Sequence, residues 1–167
     1  MKLSLGPALY YWTREKLQSF YKEIATAPVD IVYLGETVCS RRHIMRLGDW
    51  IELANMLSSA GKKVVLSTLT LIESESDLKT LRKIAENGDF TVEANDMGAV
   101  HLLEGKVPFV AGPYLNIYNP QTLGMIASLG YDGVAQLAHA RVHHVALVPE
   151  QLEVGRESHL VARRLPV

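Results

Sequence analysis

The chain has 167 residues, 48% of them hydrophobic, and its 17 basic and 18 acidic residues leave a formal net charge of −1. This length and composition favour about one globular domain and exclude a disordered chain. The balanced charge disfavours nucleic acid as the main partner. One cysteine excludes an internal disulfide. Because the sequence has neither a secretion signal nor a run long enough to span a bilayer, the cytoplasm is the expected compartment.

Short apolar runs alternate with amphipathic stretches from the N-terminus to about residue 131. This alternation is typical of βα units that build a parallel sheet. It predicts an α/β fold with about five βα units. The predicted strands cover residues 4–12, 31–36, 63–69, 91–95 and 108–115.

A polar residue suited to capping stands at the start of each predicted helix. The five capping residues are Thr13, Asp49, Ser74, Asp96 and Asn119. Glycines at or near the predicted helix ends support the same boundaries.

Strands in a βα series all run in the same direction, so their C-terminal ends share one face, where function is expected. Asp96 and Asn119 are expected only to cap helices there. Glu36 and Glu93 could do acid/base work if they lie close together, and a purely structural role is equally open. The residues predicted at this face are Glu36, 39–42, Ser67, Thr68, Glu93, Asn95, Asp96 and 112–119, which include Asn116 as a possible part of the site's surroundings.

Cys39 follows the second predicted strand and stands two residues before Arg41 and three before Arg42. Cations near a thiol favour the thiolate, which binds metals or attacks electrophiles. A small buried apolar side chain is the alternative role for Cys39. The two arginines could likewise bind an anionic substrate, favour a metal cluster, or carry solvated charge beside a loop.

Residues 132–167 differ in composition from the rest of the chain. They contain no aromatic residue, lysine, isoleucine or threonine, but they hold four of the six histidines. His139, His143 and His144 could offer paired imidazoles to a metal, although no carboxylate stands suitably close in sequence. Our hypothesis is that the native reading frame ends near Gly133 and that the rest is an out-of-frame or divergent tail. We therefore divide the chain into residues 1–131 and an atypical tail, 132–167, which we expect to be irregular.

Six stretches within about residues 1–131 resemble the collagenase-like peptidase family U-thirty-two, particularly its members in ubiquinone biosynthesis. The resemblance implies a TIM-barrel-like fold and a 4Fe-4S cluster, with Cys39 as the first cluster ligand. It also implies oxygen-independent hydroxylation of a ubiquinone precursor, in a heterodimer with a UbiU-like subunit. The matching stretches are residues 3–12, 32–42, 48–50, 65–69, 86–88 and 108–112.

The chain departs from that family in two respects. A 4Fe-4S cluster is normally held by four thiolates, and the other three are absent, so we expect little or no stable cluster. A closed barrel needs eight βα units, so the sheet is expected to end in an unpaired edge unless the tail or another chain covers it. Two alternatives stay open: a hydrolase acting on peptides, although Ser40 and Ser67 have no identifiable base, and a truncated, non-catalytic fragment.

Overall fold

The computed structural model describes residues 2–42, 44–130, 135–137 and 146–148. Strands and helices alternate through the first 130 residues, which confirms the predicted α/β class and the five βα units. Two three-residue strands follow. In chain order the elements are β1 Lys2–Leu5, α1 Arg14–Thr26, β2 Ile31–Leu34, α2 Leu47–Ser59, β3 Lys63–Ser67, α3 Glu75–Ala85, β4 Thr91–Ala94, α4 Met97–Leu103, β5 Phe109–Ala111, α5 Pro120–Leu129, β6 Ala135–Leu137 and β7 Ala146–Val148.

The strands form one open sheet in the order β6-β5-β4-β3-β2-β1-β7. Neighbours from β1 to β6 pair in parallel, whereas β7 pairs antiparallel with β1. The two short strands from the 132–167 region therefore lie at the two edges of the sheet. The sequence predicted one edge in need of a partner, whereas both edges are covered in the structure, β5 by β6 and β1 by β7.

The five helices cover one face of the sheet. Side chains alternate between the two faces of a strand, and the residues on one face pack with helix residues in two large apolar clusters. Ile31, Tyr33, Val65 and Val110 point the other way and form a separate cluster that contains no helix residue. Strands in sequential order with all their helices on one side have the arrangement of a barrel wall.

Four of the five predicted helix starts are confirmed by hydrogen bonds that the capping side chains accept from backbone N–H groups of the first turn. Thr13 Oγ1 accepts from the Lys16 N–H at 3.3 Å, and Ser74 Oγ accepts from the Asp77 N–H at 3.1 Å. Asp96 and Asn119 cap their helices in the same way. These bonds satisfy N–H groups that the first helical turn leaves without an internal partner.

Some predicted boundaries were wrong. β1 ends at Leu5, because glycine and proline follow it and cannot extend the ladder well. β5 ends at Ala111 and is followed by a 3-10 turn, Pro113–Leu115. Asp49 is not the cap of α2 but its third residue, where its carboxylate accepts a bond of 2.7 Å from the backbone N–H of the true cap, Arg46.

No helix among the described residues is long and apolar enough to cross a membrane. Apart from the backbones of β6 and β7, the tail lies outside the described residues. The candidate metal site at His139, His143 and His144 falls outside the described residues, as does most of the segment to which the out-of-frame hypothesis applies.

Candidate functional site

Glu93 is the centre of a buried polar cluster on the helix-free face of the sheet. It lies in β4 directly opposite Ser67 of β3, and only 3% of its surface is exposed. The Ser67 hydroxyl donates to Glu93 Oε2 at 2.6 Å, and Asn95 Nδ2 donates to the same oxygen at 3.0 Å. Adjacent strands therefore hold one carboxyl group in a fixed orientation.

Burial raises the pKa of Glu93, because the ionised form loses its hydration. The hydrogen bonds from Ser67 and Asn95 favour the carboxylate and oppose part of that effect. Burial also raises the pKa of the Tyr33 hydroxyl, and the nearby charge of Glu93 adds to the shift. A carboxyl group whose pKa is displaced towards neutrality is suited to holding or transferring a proton.

Thr68 and Asn95 join the ends of β3 and β4. Thr68 Oγ1 donates to the Glu93 backbone oxygen at 3.0 Å and accepts from the Asn95 N–H at 3.0 Å. Asn95 Nδ2 also donates to the Thr68 backbone oxygen at 3.1 Å. A Cβ atom at Gly112 would overlap the Asn95 amide oxygen, so only glycine fits where β5 approaches. The polar cluster is thus held by side-chain bonds across two strands.

Cys39 lies half-buried in the connection between β2 and α2, at the C-terminal edge of the sheet. Its backbone N–H donates to Glu36 Oε1 at 3.1 Å, and the Val38 N–H donates to the same oxygen at 3.1 Å. Glu36 therefore shapes the loop that presents the cysteine. Glu36 and Glu93 bond to different groups, and no hydrogen bond between them is found among the described contacts.

The two arginines after Cys39 lie against carboxylates. Arg42 Nη1 is 3.6 Å from Glu36 Oε1 and donates to the Leu9 backbone oxygen at 3.0 Å. Arg41 is 3.9 Å from Glu73, and both of these side chains are largely exposed. Arg42 therefore connects two loops of the same face. Arg41 is a surface ion pair of the kind that contributes little to stability.

The donors in the described part of the chain do not fit a four-thiolate cluster. Cys39 is the only thiol in the sequence, and no three histidine, cysteine or acidic side chains of the described residues converge as metal ligands. Glu36 is already bonded to two backbone N–H groups. Cys39 could supply one ligand, and the remaining thiolates would have to come from outside this chain.

A cavity of about 500 Å³ lies beside the Cys39 loop, between α2 and α3. Its floor is apolar, with Leu34 and Leu66 from the sheet and Trp50 and Leu81 from the helices. Glu36, Ser40 and Asp77 are among the polar residues that line it. Hydrogen bonding from Ser74, assisted by Ser40, holds the pKa of Asp77 below its usual value. An apolar cavity with a few polar groups is a common form of small-ligand site.

The residues predicted for the C-terminal face fall into two groups in the structure. Ser67, Thr68, Glu93 and Asn95 are brought together by direct bonds, whereas Glu36, Cys39 and Arg42 form a second group in the neighbouring loop. Asn116 belongs to neither group. It adopts the left-handed conformation, with φ of 54°, and ends the 3-10 turn while accepting a bond of 3.0 Å from the Tyr118 hydroxyl.

Sequence reasoning missed Thr37 and Asp77. Thr37 is fully buried, and its hydroxyl has no hydrogen-bond partner among the described atoms. Asp77 stands three residues after the predicted cap Ser74, in the first turn of α3, and it also lines the cavity. The helix-start pattern around Ser74 was the available signal for Asp77; Thr37 gave none, because its burial depends on the loops around it.

No protein-family model matches this chain, and no solved structure matches it.

Proposed function

We propose that residues 1–131 of this chain belong to a UbiV-like protein that takes part in oxygen-independent ubiquinone biosynthesis. In this proposal it acts with a UbiU-like subunit in hydroxylating the ring of a ubiquinone precursor. The six stretches that resemble the collagenase-like family carry the assignment. Cys39 would contribute one thiolate to a 4Fe-4S cluster whose other ligands lie outside this chain.

The position of Cys39 is the observation that supports this proposal. It lies half-buried in the β2–α2 connection, in a loop organised by Glu36 and Arg42. Active sites of (βα) barrels lie at the C-terminal ends of the strands. A cysteine at this edge, beside a cavity of about 500 Å³, suits a role next to bound substrate better than a role in the core.

A peptidase role is less well supported. Ser67 is 1% exposed and its hydroxyl donates to Glu93, so this serine is not available to attack a peptide bond. Ser40 lies near Asp77, whose lowered pKa makes it a weak base. Neither serine has the activated arrangement that nucleophilic catalysis requires.

The test is a chimera in which residues 1–131 replace the equivalent part of a UbiV-like protein, expressed in cells that lack that protein. We expect the chimera to restore ubiquinone synthesis without oxygen and to bind iron and sulfide. Cys39→Ser should abolish both, whereas the adjacent Ser40→Ala should retain both. Restoration by the Cys39→Ser chimera would remove the cluster-ligand role. A folded chimera that restores nothing would contradict the assignment.

A further inference from the structure

Exposed apolar side chains are distributed unevenly between the two ends of the sheet. Ten large apolar or aromatic residues are exposed within the described part of the chain. Eight of them lie in the connections that follow β1 to β5, or at the first helical residue after one. Only Val107 lies in a connection at the opposite end, and Met125 lies within α5. Single exposed apolar residues are ordinary, but their concentration on one face is not.

Tyrosines make up much of this face. Tyr10 and Tyr11 in the β1–α1 connection are 75% and 66% exposed. Tyr114 and Tyr118 in the β5–α5 connection are 41% and 85% exposed. Tyrosine is enriched in protein interfaces because its ring supplies a large contact area and its hydroxyl can bond at the rim.

Aliphatic side chains extend the same surface between the tyrosines. Val38, Leu71 and Met97 are exposed in the three intervening connections, between 46% and 60%, and Leu9 is 41% exposed. Because β1 to β5 are neighbours in sequential order, these connections are neighbours too. We call the eight exposed residues of this end the tyrosine-rich face.

The area of this face is close to what a stable dimer needs. Aromatic side chains bury roughly 150–250 Å² each, so the exposed fractions of the four tyrosines offer on the order of 500 Å². The four aliphatic residues add to this. A standard protein interface buries about 800 Å² on each partner.

The charge of the face favours contact with another copy of itself. The connections of this end carry three cations, Arg41, Arg42 and Arg46, and three anions, Glu36, Glu73 and Asp96. Arg41 and Arg42 already lie against Glu73 and Glu36. A twofold interface places each surface against its own copy, so a balanced face avoids the repulsion that a singly charged face would meet. The same balance disfavours phosphate groups and anionic lipid, which need unpaired cations.

We propose that the tyrosine-rich face is a self-association surface through which two copies of this chain form a twofold dimer. The dimer covers the connections that contain Cys39, Tyr10 and Tyr118, so substrate binding at this face in the proposed heterodimer requires the dimer to dissociate. This inference does not rest on the proposed role in ubiquinone synthesis, because it depends only on exposure, area and charge.

The main test is sedimentation velocity of the full chain from low micromolar to several hundred micromolar concentration. We expect a concentration-dependent dimer. The double substitution Tyr10→Ser, Tyr118→Ser should weaken the dimer by about 100-fold, because these are the two most exposed side chains of the face and tyrosines are among the residues whose truncation weakens an interface most. The matched control is Val107→Ser, Met125→Ser, which removes the two exposed apolar residues outside the face and should leave the dissociation constant unchanged.

A second measurement needs no substitution. Amide hydrogen exchange of the native chain should slow at high concentration in residues 6–13 and 112–119, and not in residues 27–30, 60–62 or 86–90. Alkylation of Cys39, the only thiol, should slow in parallel. A chain that stays monomeric, a dimer weakened equally by the control pair, or protection confined to other regions would each overturn the proposal. A chain that associates only with a different protein would do so as well.

Discussion

The two faces of the sheet are formed by the same strands but carry different chemistry. On the helix-covered face every buried strand residue is apolar, as with Val32, Leu34 and Leu66. On the helix-free face, Ser67 and Glu93 are buried beside Tyr33 and Val65. Both faces exclude water, but only the helix-free face combines burial with a titratable group.

This difference shows where the fold tolerates polarity. The buried strand residues of the helix-covered face are all apolar, so a carboxyl group among them would lose its hydration without gaining partners. Near the C-terminal ends of β3 and β4, Ser67 and Asn95 provide donors for Glu93. Side-chain hydrogen bonds thus stabilise buried polar groups on the helix-free face, whereas apolar packing stabilises the helix-covered face.

The largest effect should come from the helix-covered face. Leu57 is fully buried in the cluster that joins β2 to α1 and α2. Leu57→Ala should lower the free energy of unfolding by about 2–5 kcal/mol, because it leaves a cavity in packed surroundings. Met125→Ala truncates a side chain of similar size on α5 that is 53% exposed and lies outside the tyrosine-rich face, and it should change stability by less than about 0.5 kcal/mol. Urea denaturation measures both; equal losses would contradict the packing described for this face.

The second-largest loss of stability should come from a substitution at Gly35, directly after the end of β2. Gly35 has a φ of 144°, and an added Cβ would overlap the Ser67 backbone oxygen. Gly35→Ala should therefore lower the free energy of unfolding by about 2–4 kcal/mol, because it introduces backbone strain and overpacking. Gly48→Ala is the matched control, because Gly48 lies in the first turn of α2 with open space around it. The thermal midpoint of Gly48→Ala should be unchanged or slightly higher than that of the native chain. A loss of stability comparable to that of Gly35→Ala would contradict the steric explanation.

On the helix-free face, Ser67→Ala removes one of the two donors to Glu93. We expect a loss of about 1–3 kcal/mol in unfolding free energy, because a buried carboxylate would keep only the Asn95 bond. The loss should be larger at high pH, where the carboxylate form is populated. Ser128→Ala, at an exposed position of α5, should have almost no effect. A loss independent of pH would show that Ser67 acts through packing rather than through Glu93.

The smallest effect, and the sharpest test of the polar cluster, is the pH dependence of Glu93→Gln. Burial raises the pKa of Glu93 in the folded protein, so folding favours the protonated form. The contribution of Glu93 to stability is therefore present at low pH and is lost as pH rises through the folded-state pKa. Glutamine keeps an acceptor for Ser67 and Asn95 without the charge. The stability of Glu93→Gln relative to the native chain should thus increase from acid to neutral pH, as measured by urea denaturation.

Glu52→Gln controls for the loss of one carboxylate, because Glu52 is exposed on α2. We expect no comparable trend for it. A Glu93→Gln variant whose relative stability stays constant with pH would contradict the raised pKa and the proton-transfer role that it allows.

Local signals in the sequence predicted the architecture well. Thr13, Ser74, Asp96 and Asn119 were each interpreted as caps and each accepts a helix N–H. Such signals succeed because a cap acts within three residues of itself. Strand ends were less predictable. The apolar run after Pro7 has strand composition, yet the ladder ends at Leu5, and the tyrosines of that run lie exposed in a loop.

The sequence predicted at which end of the sheet the polar residues lie, but not which of these residues bond to one another. Parallel strands imply a common C-terminal face, which correctly collected Ser67, Thr68, Glu93 and Asn95. The hydrogen bonds among these four residues depend on the register between β3 and β4. That register cannot be read from a single sequence. The proposed ligand role of Cys39 stays a prediction, because it depends on residues that this chain does not contribute.

The antiparallel strand β7 occupies the free edge of β1. In an eight-stranded barrel that same edge pairs in parallel with the last strand, and closure of the ring depends on it. One edge of a strand accepts one neighbour, so pairing with β7 and ring closure exclude each other. A closed barrel can therefore form only if β7 is displaced from β1. While β7 is paired there, no further strand can add at that edge of the sheet.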